Sequence, residues 1–228
     1  MKKLFHSMVI CSILIPLTQT FGVAGFGVQG GQSLLTANAS TSSSEGATLN
    51  TSEFSNPFSG GAYLYIDAIP FIDLEADFTL SLKEYTFDFT NALGISGPYD
   101  FGWADFSVYL TARKEIIGLG IPLLAKAKVF YGGGYNMHTV TPMMDLDLMK
   151  SALTGDLAAD PTNLSENDLV DFLKDSQAKY SGFHIQSGLQ FKILVLDTFL
   201  FYRHTFSKDV VPGQDHFGGL NLRIGYGF

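Results

Sequence analysis

The sequence predicts an eight-stranded antiparallel up-and-down transmembrane β-barrel with a long, partly helical third surface loop. Three observations carry that fold class. The last twelve residues alternate strictly, Leu220, Leu222, Ile224, Tyr226 and Phe228 being apolar while Gly219, Asn221, Arg223, Gly225 and Gly227 are small or polar, which marks a strand with one apolar face. Apolar residues make up 46% of the chain and charged residues 16%, against about 25% charged in an average soluble domain. No run approaches the roughly 18 apolar residues of a helical span, so entry into a membrane has to be by alternating strands.

Two segments are expected, 1–24 as a signal peptide and 25–228 as one barrel. Lys2 and Lys3 precede an apolar run from Met8 to Leu17, and small residues follow at Gly22 to Gly25, the pattern of a secretory signal. Cys11 is the single cysteine and leaves with that segment, so disulfides contribute nothing to the mature chain. Loss of Lys2 and Lys3 takes the formal charge from −8 to −10, which argues against a nucleic-acid partner.

Strand one is the Gly-rich stretch Gly25 to Leu35, followed by a polar loop to Pro57. Strand two runs from Phe58 to Asp67, and a turn containing Pro70 leads on. In strand three Leu74, Ala76, Phe78, Leu80 and Leu82 alternate with Glu75, Asp77, Thr79, Ser81 and Lys83, with a slip expected between Lys83 and Tyr85. Gly94, Gly97 and Pro98 read as a loop before strand four, Phe101 to Lys114, and Gly118, Gly120 and Pro122 read as the next turn. Strand five alternates Ala125, Ala127, Val129 and Tyr131 with Lys126, Lys128 and Phe130. Strand six spans Tyr180 to Lys192, Asp197 reads as a turn residue, strand seven spans Phe199 to Phe206, and the terminal stretch is strand eight. Long and short connections then alternate, as in membrane barrels.

The terminal strand resembles the closing strand of bacterial outer-membrane β-barrels. The mature chain as a whole is similar in pattern to the small barrels of the OmpA transmembrane, OmpX and OmpW kind. That resemblance implies an outer-membrane location with both chain ends periplasmic, contact with outer-membrane lipid and lipopolysaccharide, and handling by the barrel-assembly machinery through Leu220, Leu222, Ile224, Tyr226 and Phe228. It implies no cofactor and no domain beyond the barrel, and a monomer is expected. Trp103, Tyr99, Phe101, Tyr135 and Tyr180 are expected in the outer aromatic girdle, and Phe71, Phe191, Tyr226 and Phe228 in the periplasmic one.

The polar faces carry Glu75, Asp77, Lys83, Asp105, Arg113, Lys126, Lys128, Lys192, Arg203 and Arg223. A ring of eight strands is just wide enough for side chains to fill, so these residues are expected to form an ion-paired plug, with a narrow channel for small or apolar solutes as the alternative. Pairing strands three and four so that opposed residue numbers sum to 188 sets Glu75 against Arg113 and Lys83 against Asp105. Basic groups are expected to outnumber acids inside.

Between 137 and 180, eight acids (Asp145, Asp147, Asp156, Asp160, Glu166, Asp168, Asp171 and Asp175) face three lysines. Ser165 with Asp168 predicts a helix start, and a second helix is expected around Met143 to Leu153. The segment is a candidate surface-ligand site, a cation holder or a cap. Asp145 and Asp147 lack an EF-hand pattern, and no metal site is expected. Some barrels of this class deacylate or acylate lipid A with a histidine, a serine and a carboxylate. His204, Ser207 and Asp209 or Asp215 invite that comparison, but a spacing of three puts His204 and Ser207 on opposite faces of a strand, so no catalytic residue is assigned.

Overall fold

A computed structural model describes residues 24–67, 72–121 and 124–228. The expected signal segment lies outside the described residues apart from Ala24, as do Pro70, Phe71 and Pro122. The strands are β1 Ala24–Leu34, β2 Thr36–Ala37, β3 Ser40–Ser44, β4 Ala47–Thr51, β5 Phe54–Ser55, β6 Phe58–Ile66, β7 Asp73–Asn91, β8 Gly94–Ile121, β9 Ala125–Val140, β10 Ala178–Ile193, β11 Leu196–Phe206 and β12 His216–Gly227. Eight of them, β1 and β6 to β12, pair antiparallel with their neighbours in chain order, and β1 pairs with β12 to close the ring.

Hydrogen-bonded neighbours followed around the ring from Leu110 run through Ala76, Leu64, Phe26, Tyr226, Leu196, Ile193 and Ala125, and return to β8 at Ile121. The return point is eleven residues on, one of them the bulge residue Ile116, so the strands are staggered by ten residues, which tilts them about 40° from the barrel axis.

Period-two patterning decides which side of each strand faces in. Phe78, Leu80, Phe106, Leu110, Leu189, Leu200 and Leu222 are all exposed on the outer surface, as are the terminal-strand residues Leu220, Ile224, Tyr226 and Phe228. Glu75, Asp77, Arg113 and Arg223 are buried inside. A soluble barrel would have the reverse arrangement. Ala24, Phe228, the strand-flanking residues Asp67, Ile72, Ile121 and Leu124, and the turn at 194–195 lie at one mouth, and the segments at 35–57, 141–177 and 207–215 lie at the other.

Several boundaries differ from the sequence reading. β7 continues without a slip from Lys83 to Asn91, and its bulge sits between Phe87 and Phe89. What changes at Tyr85 is the chemistry of the inward face, which turns apolar as the strand rises out of the ionic layer. β8 begins at Gly94 and ends at Ile121, so Gly97, Gly118 and Gly120 lie within the strand. The polar loop after β1 holds the hairpin β3–β4, which adds to the upper edge of β7. Ala47, Leu49 and Thr51 point to the interior there. Asp197 is part of β11, and the turn before it is Leu194–Val195.

Glycines mark where strands approach too closely for a side chain. A Cβ on Gly134 would lie 1.8 Å from the Leu110 carbonyl oxygen on β8. Gly134→Val is therefore expected to push β8 and β9 apart and cost at least about 1–3 kcal/mol in urea unfolding from liposomes. Gly30→Val, outward with its nearest neighbour 3.8 Å away, should stay within about 0.5 kcal/mol of the parent.

Candidate functional site: the lumen and its cap

The lumen is filled in two layers. The lower layer is ionic. Glu75 and Asp77 on β7 meet Arg223 from β12 and Arg203 from β11 across the barrel. Arg223 donates from Nη2 to both Asp77 oxygens at 2.6 Å, from Nη1 to Glu75 Oε2 at 3.1 Å and from Nε to Gln29 Oε1 at 3.0 Å. Arg203 donates to Asp77 Oδ2, and to Gln186 Oε1 at 2.8 and 3.0 Å. Gln186 in turn donates to Glu75 Oε2 at 2.9 Å. Arg113 donates to Asp67 and Asp73, each at 3.2 Å, and its Nη1 lies 2.8 Å from Glu75 Oε1. That last contact is an ion pair off the direction a hydrogen bond needs.

Aromatic rings pack the spaces between these ions. Tyr63, Tyr65, Phe130, Phe199 and Phe201 form one buried cluster. Arg113 lies over Phe130 and Phe199 at 5.0 Å, Arg203 over Tyr109 at 3.9 Å and Arg223 over Phe201 at 4.3 Å. Each guanidinium is thus held between carboxylates and π-faces, the environment in which cation–π attraction is strongest. Tyr65 donates to Asp197 Oδ2, and Gln190 donates to the same carboxylate.

The structure brings most of the sequence-assigned charges together, though with different partners. The β7–β8 register sums to 186, so Glu75 lies opposite Thr111, Lys83 opposite Trp103 and Phe78 opposite Val108. The long Arg113 side chain still reaches Glu75. Asp105 pairs with His138 Nδ1 at 2.9 Å instead of Lys83, and Lys83 makes no ion pair among the described residues. Lys126 and Lys128 pair with Glu115 at the terminal mouth, Lys128 also reaching Asp67, rather than joining Glu75 and Asp77. Lys192 makes no ion pair among the described residues. Basic groups do not outnumber acids inside, because Asp67, Asp73, Glu115 and Asp197 belong to the network as well. Sequence reasoning missed Gln29, Asp67, Asp73, His138 and Asp197, although carrying the alternation back one residue from Leu74 and two from Phe199 would have placed Asp73 and Asp197 on the inward face.

Above the ionic layer lies a polar cavity of about 20 Å³, lined by Thr79, Ser81, Asp105, Ser107, Tyr109, Arg203 and Thr205 among others, roomy enough for about one water. The upper layer is apolar. Tyr85, Phe87, Phe89, Phe101 and Trp103 from the β7–β8 hairpin pack with Leu49, Phe54, Val210 and Val211 and with Met144, Met149, Leu153, Leu157, Leu169 and Leu173 of the third connection. Trp103 and Phe101 are therefore buried plug residues and Tyr180 packs against the same plug, so none of them forms an outer girdle. Tyr135, Phe191, Tyr226 and Phe228 do face outward.

That third connection is a helical cap. Helix α1, Leu146–Ala152, starts at the Asp145 cap, and α2, Glu166–Asp175, at the Ser165 cap, which accepts from the Asp168 N–H as the sequence predicts. Asn91 donates to the Leu157 and Ala159 carbonyls at 2.8 and 2.7 Å. The Met144 N–H donates to Tyr85 Oη at 3.1 Å, and Lys150 pairs with Glu45 at 3.0 Å. Thr162 donates its hydroxyl and its N–H to Asp160, which holds that exposed carboxyl below its usual range. The acids Asp145, Asp147, Asp156, Asp160, Asp168, Asp171 and Asp175 are all on the exposed side.

A closed eight-strand ring, an apolar outer belt and an ionic interior decide the class. The chain folds as a small membrane-type β-barrel.

Solved structures similar to this barrel include Ail, the attachment invasion locus protein of Yersinia pestis, in complex with the heparin analogue sucrose octasulfate: 11% identity, 91% of this chain and 99% of that one, TM-score 0.44. Neisserial surface protein A matches at 12% identity, 92% and 100% coverage and TM-score 0.46. OprG from Pseudomonas aeruginosa matches at 9% identity, 90% and 94% coverage and TM-score 0.46. No protein-family model matches the sequence, and no curated protein does.

His204 and Ser207 do not form a catalytic pair. His204 lies on the outer face of β11, its ring 4.7 Å from Phe206 and 5.1 Å from His216, whereas Ser207 is buried within. Among the described residues no group of three or more metal-ligating side chains comes together.

Proposed function

We propose that this protein is a non-catalytic, non-conducting outer-membrane barrel whose work is done by its acidic cap. In this reading the terminal mouth and both chain ends are periplasmic, and the outer belt meets outer-membrane lipid. The helical cap stands among the lipopolysaccharide headgroups, and the assembly machinery reads Leu220, Leu222, Ile224, Tyr226 and Phe228. A single copy closes its own ring of eight strands, so one barrel suffices.

The observation that carries the reading is the double closure of the lumen. Three buried arginines tied to Glu75 and Asp77 fill one level, and an apolar plug continuous with the cap fills the next. A solute would have to break both. The cap's exposed carboxylates favour a basic surface partner, in contrast to the polyanion bound by Ail, since a polyanion would meet like charge here. Purified protein in planar bilayers is expected to give no unitary conductance steps. Sustained steps of reproducible size would overturn the proposal in favour of the narrow channel. Lipid A from cells making the protein should keep its mass, and a lost or added acyl chain that depends on His204 would restore the enzymatic alternative.

A further inference from the structure

At the terminal mouth the stagger leaves one strand edge without a neighbour among the described residues. β7 begins at Asp73, opposite Arg113, and from Lys114 to Ile121 β8 pairs only with β9. Asp67 and Ile72, the described residues flanking the β6–β7 turn, belong to no ladder with this edge. The β8–β9 hairpin therefore projects past the terminal mouth. Leu119 is 77% exposed, against 46% for Leu222 in the belt.

Two requirements conflict at this edge. Ile117, Leu119 and Ile121 continue the apolar outer face and are costly in water. The unpaired N–H and C=O groups along the same eight residues are costly in hydrocarbon, where nothing else can satisfy them. A strand laid along the edge eases both, pairing the backbone and setting apolar cross-strand neighbours beside the exposed side chains.

A second copy cannot supply that strand. Barrels inserted the same way in one membrane are related by an axis along its normal, which crosses two tilted β8 edges at roughly 80°, far from the roughly 20–25° between neighbours in a sheet. Lys114 at the start of the edge is exposed and makes no ion pair among the described residues, so the incoming strand gains from an acidic side chain opposite it.

We infer that the Lys114–Ile121 edge takes up an extended apolar segment of another protein by antiparallel strand addition, with a carboxylate set opposite Lys114. This concerns the terminal mouth and stands apart from the role of the cap.

The test uses the full barrel in nanodiscs and a fluorescent octapeptide of alternating valine and threonine, with an aspartate near its C-terminus where antiparallel addition brings it to Lys114. Saturable binding is expected, weakened about tenfold or more by Leu119→Lys. Lys114→Glu, an exposed change that leaves the barrel folded, should weaken the aspartate peptide and favour one carrying lysine in its place. No binding to the parent protein, or binding that neither variant alters, would overturn the inference. So would quenching of Leu119→Trp by brominated acyl chains as strong as at Leu222→Trp, which would put the edge in lipid.

Discussion

Arg223→Ala is expected to lower folding stability in a lipid bilayer by about 3–5 kcal/mol, the cost of breaking a buried ion network by removing one partner. Arg223 is fully buried and serves Gln29, Glu75 and both oxygens of Asp77. Without it Asp77 keeps only Arg203, and Glu75 keeps Arg113 and Gln186. Reversible urea unfolding in liposomes, followed by tryptophan fluorescence, measures the loss. Arg223→Lys should recover only part of it, because an ammonium cannot reproduce the planar fork that reaches two carboxylates and an amide. A loss below about 1 kcal/mol, the range of an exposed ion pair, would mean that water enters this layer and that the lumen is not plugged.

Leu222→Arg, one position away, tests the opposite face. Leu222 points outward between Leu200 on β11 and Gly30 on β1, near the middle of the belt. A charged side chain facing lipid at the midplane costs about 2–4 kcal/mol, whereas an arginine on the surface of a water-soluble barrel would change stability by no more than about 0.5 kcal/mol. The same unfolding experiment separates the two. The neighbouring pair of arginines, native at 223 and introduced at 222, thus has opposite expected effects on one strand, which only an inside-out barrel produces.

How far the sequence could be read depended on what kind of information each feature carries. The faces of the strands were legible because side chains alternate with period two and because arginine and lysine are excluded from lipid. The helix start at Ser165 was legible because capping is local chemistry within four residues, whereas the first helix, expected from about Met143, begins at Leu146 behind the Asp145 cap. Register was not. A shift of two residues between β7 and β8 leaves every side chain on its own face, so apolar patterning accepts a sum of 186 as readily as 188. Charge pairing favoured 188, but Arg113 is long enough to reach Glu75 diagonally, and Asp105 found His138, a loop residue by sequence that β9 carries into the lumen. The same limit hid the plug: Trp103 and Phe101 are aromatic residues near a membrane surface, and composition cannot distinguish a girdle outside the wall from a core inside it.

By itself the sequence determined that this chain crosses a membrane with alternating strands, which residues face lipid and which face inward, because both follow from the two-residue repeat and the cost of charge in hydrocarbon. Only the tertiary structure decided which inward residues meet, that the third connection folds down as a cap, and that β8 outruns its neighbour. Those depend on the stagger at which eight strands close, and ring closure is a property of all the strands together.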